Sequence, residues 1–373
     1  MGTMLLAIAA LFLAYANGAN DNFKGVATLY GSRTLGYRGA IALATLATFA
    51  GAVCAIFLAH GLVASFSGKG LVPAGTAGTA DFLMAVGLGA AAAVMLATHL
   101  GLPISTTHGL VGGLLGAGLM AVGSEVNFVR LGGAFFVPLL ASPFIALALG
   151  GILYWLLHRG RHRLGIGKEA CVCLGERRRL VPVSELPATA VTATAALPAM
   201  ALTVADAGEC RELYTNRVWG LRLQSLLDLA HGVSGAAVSF ARGLNDTPKI
   251  AGLLVAAEGL AIEDGMLAIA VGMAVGGLLH ARRVAETLSH RITPLNPGQG
   301  LSANLATSFL VIVASKFGVP VSTTHVSVGS LFGIGLVSGE RDNAMIGGIL
   351  LAWLVTLPAG MAFGALAYGL LAG

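Results

Sequence analysis

Apolar residues run along this chain in blocks of about 20, the length a helix needs to cross a bilayer core. Reading for such runs predicts about ten membrane segments. In the first half they fall near 4–30, 39–62, 80–98, 103–122 and 131–157. In the second half they fall near 224–241 continuing through 258, then 266–281, 301–317, 320–338 and 344–371. The runs are continuous, unlike the alternating ten-residue strands of a transmembrane barrel. The stretch 158–222 breaks the pattern. It holds 10 of the 22 Lys and Arg and 6 of the 17 Asp and Glu, with basic runs at Arg159–Arg163 and Arg177–Arg179 that cannot lie in lipid. This divides the chain into an N-terminal membrane repeat, 1–157, a cytoplasmic linker, 158–222, and a C-terminal membrane repeat, 223–373. Short strands are expected around Cys171–Cys173 and Leu180–Val183, and a loop over 187–201. The N-terminus enters an apolar run with no basic segment before it, which reads as a retained helix and not a signal peptide.

The two apolar halves resemble each other. Asn17-Gly18-Ala19-Asn20-Asp21-Asn22-Phe23-Lys24 in the first matches Arg242-Gly243-Leu244-Asn245-Asp246-Thr247-Pro248-Lys249 in the second. Further on, Gly101-Leu102-Pro103-Ile104-Ser105-Thr106-Thr107-His108 returns as Gly318-Val319-Pro320-Val321-Ser322-Thr323-Thr324-His325. Two motifs repeated in the same order mark an internal duplication. Charge orients the copies, because loops rich in Lys and Arg stay in the cytoplasm. The loop after the first Asn-Asp motif carries Arg33 and Arg38, whereas its counterpart carries Glu258, Glu263 and Asp264. Arg282 and Arg283 mark the next inside loop. Five crossings per half then put both termini outside and the linker inside. The expected fold is all-α: a polytopic membrane protein of two inverted-topology repeats, an arrangement used by many secondary transporters.

Composition agrees. Hydrophobic residues make up 56% of the 373 and charged residues 10%, with a mean hydropathy of +0.84. Soluble domains carry about 25% charged residues. A soluble enzyme, a disordered chain and a nucleic-acid binder are excluded, the last despite a formal charge of +5. The 53 glycines suit helices packed backbone to backbone. Of the four cysteines, Cys54 sits in an apolar run. Cys171, Cys173 and Cys210 read as reduced cytoplasmic thiols. The alternative is a metal pair of Cys171 and Cys173 with His158 or His162.

The repeated residues carry the candidate chemistry. Asp or Lys at the centre of a membrane helix costs about 2.5–3.5 kcal/mol. Asp21 and Lys24, like Asp246 and Lys249, are three apart and share a helix face. They are either ion pairs that lock helices or part of a cation site. Gly18 and Gly243 invite breaks in the helices. Carboxylate, the amide oxygens of Asn20 and Asn245 and exposed carbonyls would form the hard-oxygen set that Na⁺ needs at Asp21 and Asp246. A proton could use the same carboxylates. In the second motif, Pro followed by Ser-Thr-Thr signals a helix start, whose N–H groups and partial positive charge suit an anion. Two such starts, one per repeat, can converge near the midplane. His108 and His325 read as helix-terminal hydrogen-bond partners before proton carriers.

These four ordered motifs resemble the inorganic phosphate transporter (PiT) family, which has a duplicated Gly-x-Asn-Asp and a duplicated Pro-x-Ser-x-Thr-His. The approach to the second His motif is similar as well, with Arg282-Arg283, Thr287, Arg291-Ile292, Gly300 and Ala303. The resemblance spans both apolar halves and fails over the linker. It implies a symporter of inorganic phosphate coupled to Na⁺ or H⁺, in the cell (inner) membrane, with hairpin-like segments near the midplane, no other cofactor and a homodimeric state. It assigns Asn20, Asp21, Asn245 and Asp246 to the cation and Ser105, Thr106, Thr107, Ser322, Thr323 and Thr324 to the anion. The chain departs from many members at Arg242, where they have His, and at Asn22-Phe23-Lys24, where they have small residues. The alternatives are a sulfate symporter of the same architecture, an anion channel, which would not need paired carboxylates, and an intramembrane hydrolase using Ser105, His108 and Asp21.

Overall fold

In the computed structural model, residues 2–164, 170–176, 200–206, 219–257, 259–290, 295–339 and 343–373 are described. They fall into two units: Met1–Trp155 with His231–Gly373, and Leu156–Ala230. The first unit is helical. Its N-terminal half contains α1 (Gly2–Asp21), α2 (Ala27–Gly31), α3 (Tyr37–Leu58), α4 (His60–Phe66), α5 (Ala74–Ala77), α6 (Ala80–His99), α7 (Thr106–Val122) and α8 (Phe128–Leu131). A widened turn at Gly132–Phe136 leads into α9 (Val137–Arg163). The C-terminal half contains α10 (Leu223–Ala251), α11 (Ile262–His280), α12 (Arg282–His290), α13 (Pro297–Lys316), α14 (Thr323–Ser338) and α15 (Asn343–Ala372).

Eight spans among the described residues are long and apolar enough to cross a membrane. The polar face of α10 and the 16 residues of α14 keep these two outside that set. The chain is thus the polytopic helical membrane protein its sequence predicts. Two details differ from expectation. The first apolar block is two helices, because the chain turns at residues 22–26 between α1 and α2. Gly18 and Gly243 break nothing: α1 continues to Asp21 and α10 to Ala251. These glycines serve close crossings instead. A Cβ on Gly18 would lie 2.0 Å from the Met273 carbonyl oxygen, and one on Gly243 would lie 2.0 Å from that of Thr48. Met273 is the counterpart of Thr48 in the second repeat, so the two crossings are equivalent. They hold α1 on α11 and α3 on α10.

In the second unit, β1 (Ala170–Glu176), β2 (Met200–Asp206) and β3 (Trp219–Arg222) form an antiparallel sheet in the order β2-β1-β3. The strand expected at Cys171–Cys173 is β1, and both side chains are buried on one of its faces. Cys173 is disulfide-bonded, which corrects the expectation of a reduced thiol at that position and removes it as a metal thiolate. The expectations placed on Arg177–Arg179, Leu180–Val183, Cys210, Glu258, Arg291-Ile292 and most of 187–201 lie outside the described residues.

Candidate functional site

The site is built where the two Asn-Asp motifs meet the two Ser-Thr-Thr motifs. Each Ser-Thr-Thr motif starts a helix as its sequence predicts. Gly101 and Gly318 take the positive φ values of 70° and 67° that turn the chain before the proline. Ser105 then caps α7 and Ser322 caps α14, their hydroxyls accepting the His108 N–H at 3.2 Å and the His325 N–H at 3.3 Å. The imidazoles of His108 and His325 lie against each other, with ring centroids 4.3 Å apart.

Five charged side chains occupy the centre: Asp21, Lys24, Arg242, Asp246 and Lys249. Among the described residues they are the only buried Asp, Glu, Lys or Arg. Lys24 Nζ donates to Asp21 Oδ1, to the Ile104 carbonyl and to Thr324 Oγ1, each at 2.5 Å. Lys249 Nζ donates to Asp246 Oδ1 at 3.5 Å, the Val321 carbonyl at 2.6 Å and Thr107 Oγ1 at 2.8 Å. Ile104 and Val321 are counterparts, and so are Thr107 and Thr324. Each lysine therefore holds the carboxylate and the pre-helix loop of its own repeat, and the threonine of the other. The threonines complete the exchange. Thr324 donates to the Ile104 carbonyl at 2.9 Å, and Thr107 to that of Val321 at 3.4 Å. Such reciprocity is what a local two-fold relation produces.

One position breaks the symmetry of charge. Asn17 in the first repeat stands where Arg242 stands in the second. The Asn17 amide nitrogen reaches Asp21 Oδ2 and Asp246 Oδ2, both at 3.2 Å, so one side chain ties the two carboxylates together. Arg242 fixes the orientation of that amide by donating to its oxygen at 2.7 Å. Arg242 also donates to Asn22 Oδ1 at 2.9 Å, and its Nε lies 3.6 Å from Asp246 Oδ2. Asn17 was missed in the sequence. The signal was present, since the residue heads the repeated motif and aligns with an arginine.

The other candidates fall as follows. Thr106 donates to Asp21 Oδ2 at 3.1 Å and accepts from Asn17. Thr323 is buried in the first turn of α14. Asn20 accepts the Ile104 N–H at 3.1 Å and donates to the Leu102 carbonyl at 3.0 Å, which pins the loop before α7. Asn245 donates to the Val321 carbonyl at 3.3 Å and accepts from Ser315. All ten predicted residues are thus buried around one centre. A small cavity, with about 30 Å³ of room for water, reaches this centre at Lys24 and Thr324. Its polar wall includes Thr28, Asn304 and Ser289. The buried Ser289 hydroxyl has no hydrogen-bond partner among the described residues.

The hydrolase alternative fails on geometry. Ser105 Oγ is 3.0 Å from His108 Nδ1, but the Asp21 carboxylate is engaged by Lys24, Asn17 and Thr106. Among the described residues no carboxylate relay to His108 is formed there. A duplicated helical bundle with a buried polar centre, fed by a small cavity, is the build of a membrane carrier.

The chain belongs to the phosphate transporter family, whose model matches residues 17–364. It is 28% identical over 379 residues to a protein of Mycobacterium tuberculosis described as a probable low-affinity inorganic phosphate transporter, covering 98% of this chain and 77% of that one. It is 26% identical over 419 residues to the chloroplastic inorganic phosphate transporter 2-1 of Arabidopsis thaliana, covering 96% and 71%. Its fold matches a solved structure titled the sodium-dependent phosphate transporter, with a TM-score of 0.76, 23% identity, and coverage of 100% and 99%. Proteins of this family are carriers and not enzymes.

Proposed function

We propose that this protein carries inorganic phosphate across the membrane by symport with a cation, Na⁺ or H⁺. The observation that carries the reading is the buried cluster of two carboxylates and three cations set between two Ser-Thr-Thr helix starts, in a member of the phosphate transporter family. The anion takes its donors from the first turns of α7 and α14, with Ser105, Thr106, Thr107, Ser322, Thr323 and Thr324 around it. Asn20, Asp21, Asn245 and Asp246 serve the coupling cation. The two membrane repeats, 1–157 and 223–373, have inverted topology, and 158–222 links them in the cytoplasm. Both termini face outward, and the carrier works as a homodimer in the cell membrane.

Phosphate is preferred over sulfate because it keeps a proton on at least one oxygen at neutral pH. A carboxylate near the anion can accept that proton in a charge-assisted hydrogen bond. Toward sulfate it presents only like charge. The test is uptake of labelled phosphate into proteoliposomes, with Na⁺ and proton gradients imposed separately and a hundredfold excess of sulfate as competitor. Concentrative phosphate uptake resisting sulfate is expected. Stronger accumulation of sulfate would overturn the substrate and leave the architecture standing. For orientation, cysteines introduced near Gly68 and Gly265 should label from outside, and those near Gly36, Gly175 and Arg283 only from inside. Outside labelling at Gly175 would reverse the topology.

A further inference from the structure

We infer that the ammonium groups of Lys24 and Lys249 occupy the two cation positions of the carrier, so that phosphate transport needs no Na⁺ and the coupling proton enters on the substrate as dihydrogen phosphate. This rests on the phosphate-symport reading and chooses between its two coupling ions.

The first support is the oxygen set around each nitrogen. Lys24 Nζ faces one carboxylate oxygen, one backbone carbonyl and one hydroxyl. Lys249 Nζ faces the equivalent three. Carboxylate, carbonyl and hydroxyl oxygens are what a hard cation recruits. Here a tethered nitrogen already holds them. An incoming Na⁺ would have to take the same Asp21 or Asp246 oxygen from a lysine and leave that lysine's charge unpaired in a buried centre, which is strongly unfavourable.

The second support is the donor count, which fixes the charged form. An ammonium has three N–H donors and accepts nothing. Carboxylate and carbonyl oxygens only accept. The Thr324 hydroxyl gives its own hydrogen to the Ile104 carbonyl, so it too accepts from Lys24. Thr107 does the same with the Val321 carbonyl and Lys249. Each nitrogen therefore meets three acceptors with three donors. A neutral amine would turn its lone pair toward one of them.

The third support is the charge balance. Asp21 and Asp246 offset two of the three cations Lys24, Lys249 and Arg242, which leaves one positive charge. A monovalent anion neutralises this remainder. One or two Na⁺ would add to it. Dihydrogen phosphate neutralises the site with its one negative charge and carries the proton that distinguishes it from the divalent form, so its transport, which moves one negative charge per cycle, is equivalent to symport of one H⁺ with divalent phosphate.

The experiment has two arms on the full-length protein. In proteoliposomes, replacing Na⁺ by choline on both faces should leave initial phosphate uptake by the natural chain unchanged, and ²²Na⁺ should not move with phosphate. In detergent, Na⁺ should not shift the thermal unfolding midpoint of the natural chain. The variant Lys24→Asn/Lys249→Asn vacates both positions while keeping an amide oxygen. Na⁺ should then raise its midpoint and lower its half-saturation for phosphate by about tenfold. If the double variant does not fold, Lys249→Asn alone should acquire the Na⁺-dependent midpoint. Na⁺-dependent uptake by the natural chain, or a Na⁺-induced rise in its midpoint, would overturn the inference. Absence of phosphate uptake under every gradient would sink the transport reading instead, and the detergent arm would still decide whether Na⁺ binds.

Discussion

The two repeats build the same polar centre and differ at one decisive position. In the first repeat Asp21 is balanced by a single cation, Lys24, and Asn17 sits neutral beside it. In the second, Asp246 faces both Lys249 and Arg242. The backbone crossings, helix caps and lysine bonds are matched pair by pair. The difference that changes the charge of the centre is Asn17 against Arg242, on a scaffold whose crossings, caps and lysine bonds are shared. This separates two jobs: equivalent residues define the shape of the centre, and the Asn17–Arg242 difference sets its net charge.

The comparison is most severely tested by removing each carboxylate. Asp246→Asn leaves two buried cations unbalanced, and breaking a buried pair costs about 3–5 kcal/mol. Its thermal midpoint in detergent should fall further than that of Asp21→Asn, and both should lose concentrative phosphate uptake. Equal losses of stability would mean that Arg242 does not depend on Asp246. Next come the crossings. Gly18→Leu and Gly243→Leu should each cost about 1–3 kcal/mol or more, by overpacking against a backbone carbonyl that cannot yield. Matched drops in the yield of monodisperse protein are expected, and a tolerated leucine at one glycine alone would break the structural equivalence of the repeats.

Arg242→Asn sharpens the comparison by making the repeats alike. It removes charged hydrogen bonds worth about 1.5–3 kcal/mol and with them the excess positive charge. Phosphate half-saturation should rise by at least about tenfold, with a smaller loss of stability than in Asp246→Asn. An unchanged half-saturation would detach the net charge from anion binding. The smallest effects belong to Thr107→Ala and Thr324→Ala. Each deletes a hydroxyl bonded to a charged partner, worth about 1.5–3 kcal/mol, so half-saturation should rise by about tenfold and by the same factor in both. Unequal factors would show that the anion leans on one helix start.

Much of this was legible in the sequence, for reasons that are local. The Asp–Lys spacing of three and the Ser caps of α7 and α14 depend on neighbours within one helical turn, so spacing alone reveals them. The hydrophobic blocks gave the helices because a bilayer demands about 20 apolar residues. The contacts that join the repeats were not legible. Lys24 and Thr324 are 300 residues apart, and no pattern in either segment points to the other. Gly18 and Gly243 were read as break points because glycine favours both breaks and close approach. Only the carbonyls of Met273 and Thr48 lying over them decide for the second. Asn17 escaped notice because one amide bridging two carboxylates is a property of the assembled centre and of no single segment.

The exchange of threonines between lysines has a consequence for how the centre is encoded. Were each half a separate chain, two copies meeting by the same two-fold relation would already contain both lysine centres whole. The carrier's core is then a dimer interface within one polypeptide. A homodimer encodes each position once and must show the same residue on both sides of its axis. Asn17 opposite Arg242 is a combination such a dimer cannot write. A single chain carries no such constraint, and here the two sides of the centre differ by the one positive charge of Arg242.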